Sequence, residues 1–195
     1  MKFKKKRLVL VQIGEIKLLN EKLEKMFLKH GFNDFKWIDP KKIVISYWVR
    51  MKCMYGCPEY GKGASCPPNV PSVQDCQKFI LEYEKAVVFH FSKAFTNPDD
   101  RHKWGQNINI NLLEIERDVF LSGHVKAFLM LSNTCQLCQE CTSNRETCIY
   151  KRKSRPTVEA MAVDVYSTVR QLDYPIQVLK DLTETMNRYA LLLIE

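Results

Sequence analysis

Residues 125–148 read VKAFLMLSNTCQLCQECTSNRETC, and this stretch decides both how the chain folds locally and what chemistry it can support. Its first seven residues, 125–131, are apolar and β-rich, which predicts a buried strand. The strand delivers the chain to Cys135, where four cysteines follow with the spacing C-x2-C-x2-C-x6-C. Functional side chains are often carried by a loop at the end of a rigid element. We therefore expect a metal or redox loop at a strand end.

A second cysteine group lies earlier in the chain. Its members are Cys53, Cys57, Cys66 and Cys76, spaced C-x3-C-x8-C-x9-C. The first three lie in a Gly- and Pro-rich loop, where the backbone can turn tightly around a cluster. Cys76 falls within a predicted helix, where a buried packing role and a ligand role both stay open. The chain is thus expected to carry two cysteine loops, at about 53–76 and 135–148.

The composition predicts one globular domain over residues 1–195, because 46% of the residues are apolar and 27% are charged. No apolar stretch approaches the length of a membrane-spanning helix. The opening MKFKKKRLVLVQIGE is basic, but its apolar run is too short for a secretory signal, so we expect a cytoplasmic protein. In that reducing compartment, eight cysteines favour metal binding or redox chemistry over a disulfide framework.

Hydrophobic periodicity predicts strands that alternate with helices. The predicted strands are residues 8–13, 43–49, 85–91, 125–131, 175–181 and 188–195. The predicted helices are residues 15–30, 72–84, 107–121 and 156–172. This order indicates an α/β fold, specifically an α+β sandwich with a mixed β-sheet, flanking helices and two cysteine-rich metal loops at strand ends.

The run from Cys135 to Cys141 favours iron–sulfur chemistry. Three cysteines at three-residue steps match the loop by which ferredoxin-type proteins hold a [4Fe–4S] cluster, and Cys148 is the nearest fourth ligand. Zinc remains the alternative, since thiolates bind either metal, although zinc sites more often combine separated cysteine pairs. Cys66 precedes a proline, as does the cysteine that ligates the other cluster in two-cluster ferredoxins. The pairing of cysteines between the two groups therefore stays open.

The formal charge of +8 raises nucleic acid or a membrane surface as partners. Part of this basicity has another interpretation, as counter-charge to anionic clusters. Basic residues adjoin both cysteine groups: Lys52, Lys151, Arg152, Lys153 and Arg155. Aromatic residues are not interleaved with the basic runs in an RNA-binding pattern, so nucleic acid is disfavoured without being ruled out. A redox partner protein is the expected partner.

Three blocks in order resemble a known family. They are VRMKCMYGCPEYGKGASCPP (49–68), NTCQLCQECTSNRETC (133–148) and KSRPTVEAMAVDVYSTVRQL (153–172). Together they are similar to a prokaryotic family of predicted metal-binding proteins, domain of unknown function 2284, over about residues 45–172. The resemblance implies an anaerobic bacterial or archaeal setting and no established reaction. It also implies three plus four ligands, without Cys76: Cys53, Cys57, Cys66, Cys135, Cys138, Cys141 and Cys148.

Three functional hypotheses follow. The first is a protein with one or two [4Fe–4S] clusters that serves electron transfer or a redox role in anaerobic metabolism. The second is an enzyme in which a three-cysteine cluster activates substrate through an open iron. The third is a zinc-stabilised binding module. The sequence leaves open whether the protein is an enzyme, as well as its substrate, redox partner and oligomeric state.

Overall fold

The computed structural model describes residues 18–195, and the chain divides into two compact units, Met1–Asn33 and Asp34–Glu195. The predicted strand at 8–13 and the beginning of the predicted helix at 15–30 lie outside the described residues. The single-domain organisation stays a prediction. Among the helices of residues 18–195, none is both long enough and apolar enough to cross a membrane.

The described part of the first unit is a helix, α1, over residues 18–29. Its buried side chains include Leu23 and Phe27, one helical turn apart, as the periodicity predicts. The helix ends at Gly31, whose φ of 81° lies in the left-handed region, and the Phe32 N–H donates to the Phe27 carbonyl at 2.9 Å. This is the Schellman geometry that a glycine after the last turn permits.

The second unit contains four strands, four α-helices and one short 3-10 helix. The strands are β1 (Phe35–Ile38), β2 (Ala86–Lys93), β3 (Phe128–Met130) and β4 (Met186–Leu193). The α-helices are α2 (Tyr47–Gly56), α3 (Val73–Leu81), α4 (Asp100–Leu121) and α5 (Val165–Arg170), and the 3-10 helix spans Pro40–Lys42. The predicted α+β class is confirmed.

The four strands form one antiparallel sheet in the order β1-β2-β4-β3. A mixed sheet was expected because β2, α4 and β3 alternate as in a β-α-β unit, whose strands run parallel. They do run parallel, but β4 inserts between them and pairs antiparallel with both, as in a split β-α-β arrangement. Parallel pairing occurs only as an isolated bridge between Leu131 and Thr157, within the described residues.

The central strands β2 and β4 carry the core. Val87, Val88 and Phe89 on β2 are fully buried, and so are Ala190 and Leu192 on β4. Because both faces of these strands are covered, their sequences read as continuous apolar runs rather than as alternating ones. This explains why both strands are visible in the sequence.

The strand predicted at 43–49 is wrong beyond Ser46. The chain is extended up to Ser46, whose N–H donates to the Ala162 carbonyl at 2.9 Å, and then α2 begins at Tyr47. Two bonds to distant residues fix the new helix. Trp48 Nε1 donates to Asp164 Oδ2 at 3.3 Å, and Arg50 Nη2 donates to a carbonyl of the 157–162 segment at 3.0 Å. Tertiary contacts thus override the β-propensity of the aromatic and branched residues.

The helix predicted at 156–172 is also wrong over its first half. Residues 158–162 form turns, and Ala162 adopts a φ of 61°, which no helix continues through. Asp164 then caps α5 by accepting from the Ser167 N–H at 2.9 Å. The strand expected at 175–181 does not form, because this segment is irregular. Of the two strands predicted after residue 172, only the last is present, as β4.

Candidate metal centre

The first cysteine group is delivered by a helix rather than by the predicted strand. Cys53 lies in α2, Cys57 is its C-cap, and tight turns lead on to Cys66. Gly61 has a φ of 78°, which favours glycine. A Cβ on Gly63 would approach Cys66 Cβ to 3.2 Å and its Sγ to 3.4 Å. The glycines predicted to fold the loop tightly therefore do so around Cys66.

The second cysteine group follows β3, as predicted, and is clamped by α4. Asn109 Nδ2 on α4 donates to the carbonyls of Asn133 and Thr134, each at 3.1 Å. One turn earlier, Gln106 Nε2 donates to the Gln136 carbonyl at 3.1 Å. These bonds hold the backbone on either side of Cys135, so the irregular loop begins from a fixed point.

The two cysteine loops touch each other. The Ala64 N–H of the first loop donates to Cys141 Sγ of the second at 3.3 Å. Ser143 Oγ donates to the Lys62 carbonyl at 2.9 Å, and Asn69 Nδ2 donates to the Ser143 carbonyl at 2.9 Å. The two cysteine loops are therefore neighbours in space.

A cavity of about 740 Å³ opens between the loops. One cysteine of the first group and all four of the second line it: Cys66, Cys135, Cys138, Cys141 and Cys148. We call this space the cysteine cavity. Thiols from both groups thus face one common volume.

Three cysteines lie away from the cysteine cavity. Cys53 and Cys57 do not line it, although both thiols act electrostatically on Cys66. Cys76 is fully buried in the hydrophobic core, where its Sγ lies 4.0 Å from the sulfur of Met161. Within residues 18–195, no group of three or more His, Cys, Asp or Glu side chains forms a ready-made single-ion site.

Burial makes the thiols of Cys66 and Cys135 resist ionisation. Burial raises the pKa of Cys66 to about 11, and the neighbouring Cys53, Cys57 and Cys135 add to the effect. The pKa of Cys135 is raised chiefly by burial, which the backbone N–H of Leu137 partly offsets. Because only the thiolate binds metal, any metal entering this site must displace protons.

A single carboxylate fastens both ends of the second loop, and we call it the Glu116 staple. Glu116 of α4 is 5% exposed. Its Oε1 accepts from the Leu129 N–H at 2.9 Å, before the loop, and from Arg155 Nε at 2.7 Å, after the loop. Arg155 was predicted as counter-charge to a cluster, but its guanidinium is engaged by this carboxylate instead. At the end of the second cysteine group, Cys148 Sγ lies 3.6 Å from Ser154 Oγ.

Two charged residues near the thiols were missed by the sequence analysis. Arg188 of β4 lines the cysteine cavity, and the Glu159 carboxylate acts on the thiols of Cys53 and Cys66. Glu159 itself is exposed to solvent. The sequence feature that could have drawn attention to Arg188 is its position, as a charged residue at the start of the apolar run RYALLLIE.

The chemistry of the donors fits a thiophilic metal. Five cysteines line one cavity, a backbone N–H donates to the sulfur of one of them, and thiolates select zinc, copper(I) and iron–sulfur clusters. No curated protein and no solved structure matches the chain. One family model does match, over residues 36–194, and its description is "Predicted metal-binding protein (DUF2284)". Since that match spans most of the chain and includes all eight cysteines, the protein belongs to this predicted metal-binding family.

Proposed function

We propose that this protein binds [4Fe–4S] clusters through its cysteine thiolates and serves electron transfer or another redox role. The observation that carries the proposal is the cysteine cavity, in which five cysteines from two separate loops face one volume. Cys135, Cys138, Cys141 and Cys148 are the ligands of one cluster in this proposal. Cys53, Cys57 and Cys66 are assigned to a second.

The contacts around Cys141 support an iron–sulfur centre. Backbone N–H groups that donate to ligand sulfurs stabilise the anionic charge of a cluster and tune its potential. The Ala64 N–H makes such a bond to Cys141 Sγ at 3.3 Å. The thiols of Cys53 and Cys57 from the first group and of Cys135 from the second all raise the pKa of Cys66. It is therefore the thiol that links the two groups.

In this proposal the chain's own residues bind the clusters and shape their surroundings. When bound, the clusters would accept and donate single electrons at low potential. Cys57 and Cys141 are the exposed members of the two groups, so they mark the side from which a redox partner protein would approach. A reducing cytoplasmic setting would keep the thiols available for loading.

A substrate-binding enzyme is the second candidate, and the wall of the cysteine cavity favours it. Besides thiols, the wall carries the polar and charged side chains of His102, Gln136 and Arg188. An electron-transfer site needs no such lining, whereas a substrate site does. In this version the three-cysteine group Cys53, Cys57 and Cys66 leaves one iron open to a ligand.

The test is anaerobic purification of the parent protein, with iron, acid-labile sulfide and zinc quantified per chain and the visible spectrum recorded. We expect about eight irons per chain, an equal amount of acid-labile sulfide and a broad absorption band at about 400 nm. A Cys135→Ala variant should lose about half of the iron, and Cys76→Ala should lose none. Zinc without sulfide or colour would overturn the proposal and leave the zinc-stabilised binding module.

A further inference from the structure

Arg188 is a half-buried cation without an ion-pair partner among the described residues. Its Nη1 donates to the Ser132 carbonyl at 3.3 Å. Its Nε is shielded from solvent and makes no hydrogen bond to residues 18–195. The guanidinium carbon lies 6.0 Å from the centre of the Trp104 ring. One edge of the guanidinium, formed by Nε and Nη2, is thus left without an acceptor in the described structure.

The surroundings make this charge costly to keep. Desolvation lowers the pKa of Arg188, the carboxylate of Glu159 partly offsets that effect, and the like charge of Arg101 adds to it. Arginine nevertheless stays protonated, so the guanidinium remains charged without a close counter-ion from this part of the chain. A buried donor left unpaired is unfavourable, and such groups are common where a ligand supplies the missing acceptor.

The position of Arg188 relates this charge to the thiols. It lines the cysteine cavity together with Cys66 and Cys135. Gln136, from the same wall, has an Oε1 that is buried and also lacks a partner in the described residues. Both residues of this wall therefore carry a polar atom that is shielded from solvent and left unpaired in the described structure.

Lys62, a second basic residue in this wall, is already neutralised by a carboxylate. Lys62 Nζ lies 3.3 Å from Glu59 Oε1, and both side chains are largely exposed. The carboxylate of Glu140 also lines this wall but is exposed, so Arg188 is the one half-buried charge in the wall among the described residues, one positive unit. A monoanionic carboxylate matches that charge and the planar, two-donor edge of a guanidinium. A dianionic phosphate needs more positive charge or a row of backbone N–H groups.

We propose that the cysteine cavity binds a small organic carboxylate, with the Arg188 guanidinium as its anchor. The rest of the ligand would lie beside Cys66 and Cys135. This inference rests on the proposed function in one respect, that the bound metal would be the group that reacts with the carboxylate ligand. Binding of the ligand itself requires the cavity and Arg188.

The test is isothermal titration calorimetry under anaerobic conditions on the purified protein of known metal content. The probes are acetate, succinate and citrate, with acetamide, inorganic phosphate and sulfate for comparison. We expect saturable binding of at least one carboxylate, no binding of acetamide and weaker binding of phosphate and sulfate. No binding of any carboxylate, or tighter binding of phosphate, would overturn the proposal.

Variants assign the binding to its anchor. Arg188→Gln should weaken carboxylate binding by about 10- to 100-fold, since one charge-assisted pair is lost. Arg188→Lys keeps the charge but not the planar edge, so it should fall between the parent and Arg188→Gln, and it decides the matter if Arg188→Gln fails to fold. The matched control Lys62→Gln, at the exposed rim of the same cavity, should change affinity by less than about twofold.

Metal analysis of the same samples separates the two proposals. Unchanged affinity in Arg188→Gln refutes the carboxylate site. So does an absence of binding combined with altered metal content in that variant, which would make Arg188 a counter-charge to the metal centre. Conversely, carboxylate binding that depends on Arg188 in a protein containing zinc and no sulfide upholds this inference while the iron–sulfur proposal fails.

Discussion

Removing the Glu116 staple should loosen the second cysteine loop at both of its ends. In Glu116→Ala, the Leu129 N–H and the Arg155 guanidinium lose the oxygen that they share, at 2.9 Å and 2.7 Å. Leu129 precedes the four cysteines and Arg155 follows them, so one substitution affects both anchors. We expect lower stability of the protein and faster loss of its metal.

The magnitude follows from the two bonds. A buried N–H without a partner costs about 1–3 kcal/mol. Breaking a buried ion pair costs about 3–5 kcal/mol. The second figure must be reduced here, because the Arg155 side chain is 22% exposed and its Nη1 still donates to two carbonyls. We therefore expect a total of about 3 kcal/mol, which corresponds to a fall of about 6–12 °C in Tm for a chain of this size.

Thermal unfolding followed by circular dichroism measures this loss, and a chelator chase measures metal release. Glu116→Gln keeps an acceptor for the Leu129 N–H and should lose only about half as much stability. Glu114→Ala, on the exposed side of the same helix, is the matched control and should cost less than about 0.5 kcal/mol. A change in Glu116→Ala no larger than in Glu114→Ala would refute the role of the staple.

Three further outcomes are expected. Cys76→Ala should keep the metal content and visible spectrum of the parent, because Cys76 lies in the core, whereas Cys135→Ala should not. Equal losses of metal in the two variants would contradict this assignment. Asn109→Ala should lower stability by about 1–3 kcal/mol and speed metal loss, because two loop carbonyls lose their donor, whereas the exposed Asn111→Ala should change neither. Zinc binding to metal-free protein should strengthen by about tenfold per pH unit for each thiol deprotonated, from about pH 6 to about pH 8, because protons compete with metal below the pKa of a thiol and the pKa values of Cys66 and Cys135 are raised. Competition with a chelator measures the slope, and a flat profile would be inconsistent with thiol ligands.

The elements predicted correctly are those whose sequence pattern and tertiary environment agree. The predicted runs 85–91 and 188–195 are continuously apolar at 86–89 and 190–194, where β2 and β4 are buried on both faces. The helices at 72–84 and 107–121 are confirmed as α3 and α4, although α4 begins earlier, at Asp100. In each case the local preference and the burial favour the same structure.

The errors arise where distant contacts decide the backbone. Residues 47–49 have β-propensity, yet Asp164 and a carbonyl of the 157–162 segment hold that part of the chain as α2. Helical periodicity continues through 158–162, but the left-handed Ala162 interrupts it. No local pattern reports a bond to a residue more than a hundred positions away, so these boundaries were not predictable from the sequence.

For the candidate site, the cysteines were identifiable but their surroundings were not. Spacing singled out the two cysteine groups, the family resemblance implied the seven ligands without Cys76, and the glycines around Cys66 indicated a tight loop. The contact between Ala64 and Cys141 joins residues 77 positions apart, and no periodicity encodes it. Arg188 appeared only as a polar interruption of an apolar strand. Its position in the wall of the cysteine cavity is evident only from the structure, in which β4 places it there.

The strand order β1-β2-β4-β3 has a consequence for how the protein is made. β4 occupies a central position in the sheet, yet it is the last of the described strands to leave the ribosome. Until it emerges, β2 and β3 have no common neighbour, and each exposes an unpaired edge. Both cysteine groups precede β4 and are therefore synthesised before the sheet can close. Loading of metal and completion of the sheet are thus separate events in the life of a nascent chain, and ribosome-bound chains halted before β4 offer a way to learn which comes first.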